Sequence, residues 1–430
     1  MDSAVASEVT VTAADVLAAQ ARLRRYLDVT PTHYAERFGC WLKLENLQRT
    51  GSYKVRGALN ALLAMRERGD ERTVVAASAG NHAQGLAWSA YRLGVQAIAV
   101  MPRCAPQTKI AGVAHWGATV RLHGDSYDEA KAFARELAEQ HDYRLLSAFD
   151  DRDVIAGQGT VGLELAALAP DVVLVPIGGG GLASGVALAL KSQGVRIVGA
   201  QVEGVDAMAR ALRGDRAARE PAATLADGVR VKEPGQLTQT LLASLLDDVV
   251  IVREAELRET LVRLALEEHV IAEGAGALAL AAGRRVVGKR KCAVVSGGNV
   301  DAGVLTELLS EVRPRPPRKP RRRAQDRFGS KPSPTCGVSG RACEPPARAP
   351  ANAEALCASA GAGLGEGART EHIAALPAGE AKSLDCTPHP AASPSGHRCA
   401  MSAPASMPAQ SRLRGHDVQN KNPAIEEICA

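Results

Sequence analysis

"DVVLVPIGGGGLASGVALAL", residues 171 to 190, is the stretch on which the reading of the fold turns. From 172 onward it is uncharged and nearly long enough to span a bilayer. Its middle, however, holds a proline and four consecutive glycines, which would break the continuous helix that a membrane requires. It therefore reads as a buried strand, a tight glycine turn and a helix.

The same unit recurs outward in both directions. Strand-like runs stand at "VRIVGAQVE" (195–203), "DDVVIV" (247–252) and "KCAVVSGG" (291–298) on one side. On the other are "WLKLE" (41–45), "TVVAAS" (73–78), "QAIAVMP" (96–102), "ATVRLHG" (118–124) and "YRLLSA" (143–148). Helix-length segments such as "HAQGLAWSAYRLG" (82–94) and "SYDEAKAFARELAEQ" (126–140) separate them, and a first helix is expected over about 13–27, ahead of a turn at Pro31. Strands alternating with helices predict an α/β protein with parallel sheets covered on both faces. Eight or more strands point to two α/β domains rather than one sheet.

Composition divides the chain unequally. Sixteen of the 23 prolines and six of the nine cysteines lie after Val312, and those 118 residues hold a single aromatic, Phe328. Such a segment cannot bury enough apolar surface to offset its ordering entropy, so 313–430 is expected to be a disordered Pro/Ala/Arg-rich tail. It carries 17 Lys/Arg against 10 Asp/Glu, a balance of +7, which leaves the body at −2 out of the whole-chain +5. The body is thus not a nucleic-acid binder, and the run "RPRPPRKPRRR" (313–323) reads first as a solvated linker, with contact to nucleic acid or an acidic surface as the alternative. The tail's bias even suggests a shifted reading frame from GC-rich DNA, testable with a chain ending at Val312. In the body Cys40, Cys104 and Cys292 lie far apart without metal-ligand spacing, as reduced thiols in a cytoplasm would. The N-terminus, with acids and no basic flank before an apolar run, is not a secretory signal.

In parallel α/β folds ligands sit where strand C-termini meet helix N-termini. The loops at those places are "SAGNH" (78–82), "GGGG" (178–181) and "SGGN" (296–299). Residues lacking Cβ let several N–H groups converge on one anion, so Gly178, Gly179, Gly180 and Gly181 form a candidate phosphate cradle. "GGGGLA" also satisfies the dinucleotide pattern, with Glu203 near the place of a ribose-binding acid, and this alternative implies a dehydrogenase. A further stretch, "ENLQRTGSYKVRGALNAL" (45–62), places Lys54 at a predicted helix start, where positive potential favours the neutral, nucleophilic amine. A cradle together with a nucleophilic lysine suggests a phosphorylated aldehyde.

These stretches, with "SAGNHAQG" (78–85), "IAGQGT" (155–160), "ADGV" (226–229) and "EGAGALALAA" (273–282), stand in the order seen in pyridoxal-phosphate enzymes of the tryptophan synthase β-like fold. Over roughly residues 10 to 312 the chain most resembles the threonine/serine dehydratases. The resemblance implies two αβα domains, a large one over 1–72 and 149–312 and a small inserted one over 73–148. It implies pyridoxal 5'-phosphate held by Lys54 as the Schiff-base lysine, which also serves as the Cα base. Gly178 to Gly181 would hold the phosphate, Asn81 the ring hydroxyl, and Ser296 would face the pyridine nitrogen. Ser78, Asn81 and His82 would hold the substrate carboxylate, and Glu273 would lie near the cofactor.

The implied reaction is β-elimination from L-threonine or L-serine to a 2-oxo acid and ammonia. A neutral hydroxyl at Ser296 does not enforce ring protonation, which favours prompt loss of the β-substituent. Racemases of the family place a serine where this chain has Ala79, and cysteine synthases read "TSGNTG" where it has "SAGNHA". A racemase-like enzyme and a catalytically silent cofactor-binding protein are the alternatives within the fold. Some members bind a cation beside the segment matching "VE". Glu203 matches, but the further acid falls on Ala209. Isoleucine feedback is not expected, since 313–430 shows no regulatory-domain pattern. The family implies a homodimer or homotetramer.

Overall fold

The computed structural model describes residues 10–215 and 217–311, and the expectations for 313–430 lie outside them. The chain begins with α1 (Ala13–Leu23), whose Thr12 and Asp15 form a reciprocal cap, followed by β1 (Thr32–Ala35) and β2 (Cys40–Leu44). Next come α2 (Lys54–Glu67), β3 (Val74–Ala77), α3 (Asn81–Leu93), β4 (Ala97–Met101), α4 (Gln107–Ala114), β5 (Thr119–Leu122), α5 (Tyr127–His141) and β6 (Arg144–Leu145). The chain continues through α6 (Arg152–Ala166), β7 (Val172–Pro176), α7 (Gly181–Leu190), β8 (Arg196–Val202), α8 (Ala207–Leu212) and α9 (Gln236–Leu245). The described residues end with β9 (Asp248–Val252), α10 (Glu254–Glu267), α11 (Gly274–Ala282), β10 (Lys291–Val295) and α12 (Ala302–Ser310).

Two sheets result. The larger has the order β1-β2-β10-β7-β8-β9, parallel except for the antiparallel edge pair β1/β2, and the smaller has the order β5-β4-β3-β6, parallel throughout. The expected α/β class with two parallel sheets is what the chain adopts. β1 is an addition to the expected strands: "THYA" buries only Ala35 fully and pairs along a single edge, so it lacks the apolar run of an interior strand. The first helix stops at Leu23 rather than Leu27, although Leu27 still packs into the core through a further turn.

β7 shows why its sequence is continuously apolar. Leu174 faces a core built with α11, while Val173 and Val175 face another built with α6 and α7, so every residue of the strand is buried. α6 is a helix despite "GQGTVG". Its glycines are contact points, because a Cβ on Gly157 would lie 2.6 Å from the Arg56 carbonyl oxygen and one on Gly159 2.8 Å from that of Gly185. The helix therefore packs backbone to backbone against α2 and α7, and this close approach offsets the poor helix propensity of glycine.

Beneath the start of α2 lies a buried ionic network. Arg56, 2% exposed, donates from Nε to Glu45 at 2.7 Å and from Nη1 to Glu164 at 2.6 Å, and Lys43 Nζ reaches Glu164 at 2.6 Å. Two cations balance two carboxylates, so the network closes without net charge. It ties the lysine-bearing helix to α6 and to the turn after β2.

Candidate active site

The three glycine-containing loops all follow strand C-termini, after β3, β7 and β10, and they meet. Lys54, Ser78, Asn81, His82, Gly178 to Gly181, Glu273 and Ser296 line one cavity of about 750 Å³. Glu203 does not line it. It is exposed just past β8, outside this cavity. Among the described residues no group of three or more His, Cys, Asp or Glu side chains could hold a metal.

Lys54 is the first residue of α2, and its segment is stitched to the loop after β10. Tyr53 N–H donates to the Ser296 carbonyl at 3.1 Å, and Gly298 N–H to that of Gly51 at 2.9 Å. The amine donates to the Ala148 carbonyl at 3.0 Å. Burial, partly countered by the charge of Glu273, holds its pKa down to about 8. That burial makes this lysine more readily neutral than a surface one.

The glycine turn runs directly into α7, which starts without any side-chain cap. The N–H groups of its first turn thus remain free to bond an anion in the positive potential of the helix end. Gly180 has φ +100°, and a Cβ there would lie 2.7 Å from Met208 Cε and 2.8 Å from Thr238 Cβ, so no side chain fits. Thr238 Oγ1 donates to the Gly179 carbonyl at 2.6 Å, and Phe149 packs over Gly179 and Gly181.

In the "SAGNH" loop, Ser78 Oγ accepts from the N–H of Gly80 at 3.2 Å and of Ala83 at 3.4 Å. His82 is 2% exposed and neither ring nitrogen makes a well-formed hydrogen bond. Burial first, then the nearby Lys54 charge, push its pKa down to about 3, against the opposing Leu146 backbone, so the ring is neutral. Such an unpaired polar ring is costly unless something else fills its bonds. Glu273 accepts from Asn81 Nδ2 at 2.7 Å, and burial, reinforced by the charge of Asp227, raises its carboxyl to about 7. Ser296 Oγ, also buried, donates to the Ala275 carbonyl at 3.3 Å.

Several lining residues carry no assigned role in the sequence reading. Asn299 and Asp227 belong to the motifs "SGGN" and "ADGV", and that membership is their signal. Lys109, on α4, pairs with Asp227 at 2.9 Å across the mouth, and no motif marks it.

An amine held near neutrality, a glycine helix start with open N–H groups and an unpaired buried imidazole face one space. This donor set fits a phosphorylated aldehyde carrying an amino acid. Comparison with known proteins agrees. Residues 23–298 match the family described as pyridoxal-phosphate dependent enzyme. The L-threonine ammonia-lyase of Thermotoga maritima is 42% identical over 315 residues, covering 70% of this chain and 79% of that protein. The structure of the processed form of threonine deaminase isoform 2 from Solanum lycopersicum is 32% identical with TM-score 0.65, covering 72% of this chain and 93% of that one. Maize serine racemase is 31% identical with TM-score 0.66, covering 70% and 97%. By sequence, fold and cavity alike, the chain belongs to the pyridoxal-phosphate dependent enzyme family.

Proposed function

We propose that this protein is an ammonia-lyase that eliminates the β-hydroxyl of L-threonine or L-serine, giving a 2-oxo acid and ammonia. The observation that carries it is the convergence of the Lys54 amine, the glycine turn and the "SAGNH" loop on one cavity. The names of its relatives, L-threonine ammonia-lyase and threonine deaminase, support the same reading.

Pyridoxal phosphate, when bound, supplies the electron sink for breaking the Cα–H bond. The chain supplies the rest. Lys54 Nζ would hold the cofactor and is the group placed to take the Cα proton; an amine with pKa about 8 suits proton exchange near neutral pH. Gly178 to Gly181 would bond the phosphate through backbone N–H groups. Asn81 would meet the ring hydroxyl, and Ser78, Asn81 and His82 would orient the substrate carboxylate. Ser296 would offer a neutral hydroxyl to the ring nitrogen, and Glu273 accepts from Asn81. Racemisation would need a proton donor at Ala79, whose methyl in the cavity wall has none to give.

We extend the proposal to the organisation of the molecule: 73–148 as the small domain inserted in a large one over 1–72 and 149–312, a homodimer or homotetramer, and a cytoplasmic setting. Free thiols at Cys40, Cys104 and Cys292 support the last. Among the described residues no helix is long and apolar enough to cross a membrane.

The experiment is ammonia and 2-oxo acid release from a panel of β-hydroxy amino acids. Release from none of them would sink the proposal. Two further outcomes are expected. The rate at which apoprotein develops a visible band with pyridoxal phosphate should rise as pH increases through about 8, because the neutral amine is the nucleophile; a stopped-flow pH series reads it. Gly180→Ala should weaken cofactor binding by about tenfold or more, since positive φ and overlap with Met208 and Thr238 displace the turn. Equilibrium titration of apoprotein measures that.

A further inference from the structure

An asparagine side chain presents oxygen on one side and N–H on the other, and its neighbours decide which faces where. Around Asn81 the decision traces back to a group that has no choice. The Thr50 carbonyl oxygen can only accept, and Asn299 Nδ2 lies 2.8 Å from it. The same Nδ2 lies 2.8 Å from Asn81 Oδ1 and donates its second hydrogen there. Asn81 must therefore turn its oxygen to Asn299 and its Nδ2 to Glu273. One N–H of Asn81, which lines the cavity, is left for a ligand.

The origin of this chain of bonds is held firmly. Thr50 has φ 62° and Gly51 φ +70°, a conformation that a β-branched residue adopts only where its surroundings impose it. A Cβ on Gly51 would overlap the Asn299 side chain, so the two loops touch directly, and the Gly298–Gly51 hydrogen bond pins them together.

We propose that Asn299 is a positioning residue that fixes Asn81 with an N–H, rather than an oxygen, toward the cofactor's ring hydroxyl. It rests on the cofactor reading above. Asn81 then favours the ionised ring oxygen. Without Asn299 the Asn81 amide is free to turn over and offer an acceptor, which favours the protonated oxygen. Glu273 alone does not prevent this, because a carboxyl titrating at about 7 can donate as well as accept.

The test is the ratio of visible to near-ultraviolet absorption of the pyridoxal-phosphate-loaded protein at neutral pH, with cofactor content measured separately after alkaline release. Asn299→Asp has no donor, so Asn81 must turn to donate to it. The expected result is a fall in the ratio of about tenfold at equal cofactor content, the scale of one hydrogen bond to a charged group. Should that variant fail to fold, Asn299→Ala removes the donor without adding charge, and a fall of about threefold is expected. A ratio equal to the wild type in a fully loaded variant overturns the proposal. Wild-type protein that develops no visible band with pyridoxal phosphate would instead refute the cofactor reading, so the two failures are distinguishable.

Discussion

Lys54→Ala is expected to lower 2-oxo acid release from L-threonine by about a thousandfold or more. In the proposed reaction the side chain has two duties, anchoring the cofactor and taking the Cα proton, and loss of a positioned base alone costs about 10²–10⁴-fold. No second amine replaces it: Lys109, the other lysine lining the cavity, is engaged with Asp227 at the mouth. The residual rate is read by a keto-acid assay. A companion measurement traps the resting protein with borohydride and digests it. The peptide containing Lys54 should gain the mass of the reduced cofactor, and the alanine variant should show no such peptide. A variant retaining a tenth of wild-type activity would contradict the assignment.

The largest expected effect on stability comes from a residue that touches no ligand. Arg56→Met should destabilise the fold by about 3–5 kcal/mol, the cost of leaving buried charges without their partner. Glu45 is fully buried and Glu164 nearly so, and Arg56 contributes two hydrogen bonds to each. Burial alone would raise the Glu45 carboxyl, but Arg56, with help from Thr30 and Lys43, brings it below its ordinary value. Removing the guanidinium therefore leaves a carboxylate that must either stay charged and unpaired or take up a proton. Urea unfolding of the apoprotein measures the loss. Glu164→Gln, which keeps a hydrogen-bonding group and the Glu45 pair, should cost less, and equal losses would argue against an ionic origin.

The division of labour between chain order and folding can be followed at particular residues. "VVLVPIGGGG" is legible on its own because a strand buried on both faces must be apolar at every position, and because glycine alone tolerates the turn at Gly180. Lys54 and the "SAGNH" loop are legible as motifs whose residues are neighbours in the chain. α6 is less so: its glycines argue against a helix until the backbones of α2 and α7 are seen pressed against Gly157 and Gly159. β1 is hidden because a short edge strand with two exposed residues carries almost no pattern.

The alternation of strands and helices, the glycine turn before α7 and the place of Lys54 at the start of α2 were determined by the sequence itself, since each depends on residues within a few positions of one another. The tertiary structure alone decided that Asn299 sets the sense of Asn81, that Lys109 meets Asp227 across the mouth, and that Arg56 closes a neutral network with Glu45 and Glu164. Those are pairings between side chains far apart in the chain. A hydrogen bond or ion pair exists only when packing brings two partners within about 3 Å, and no local pattern encodes that distance.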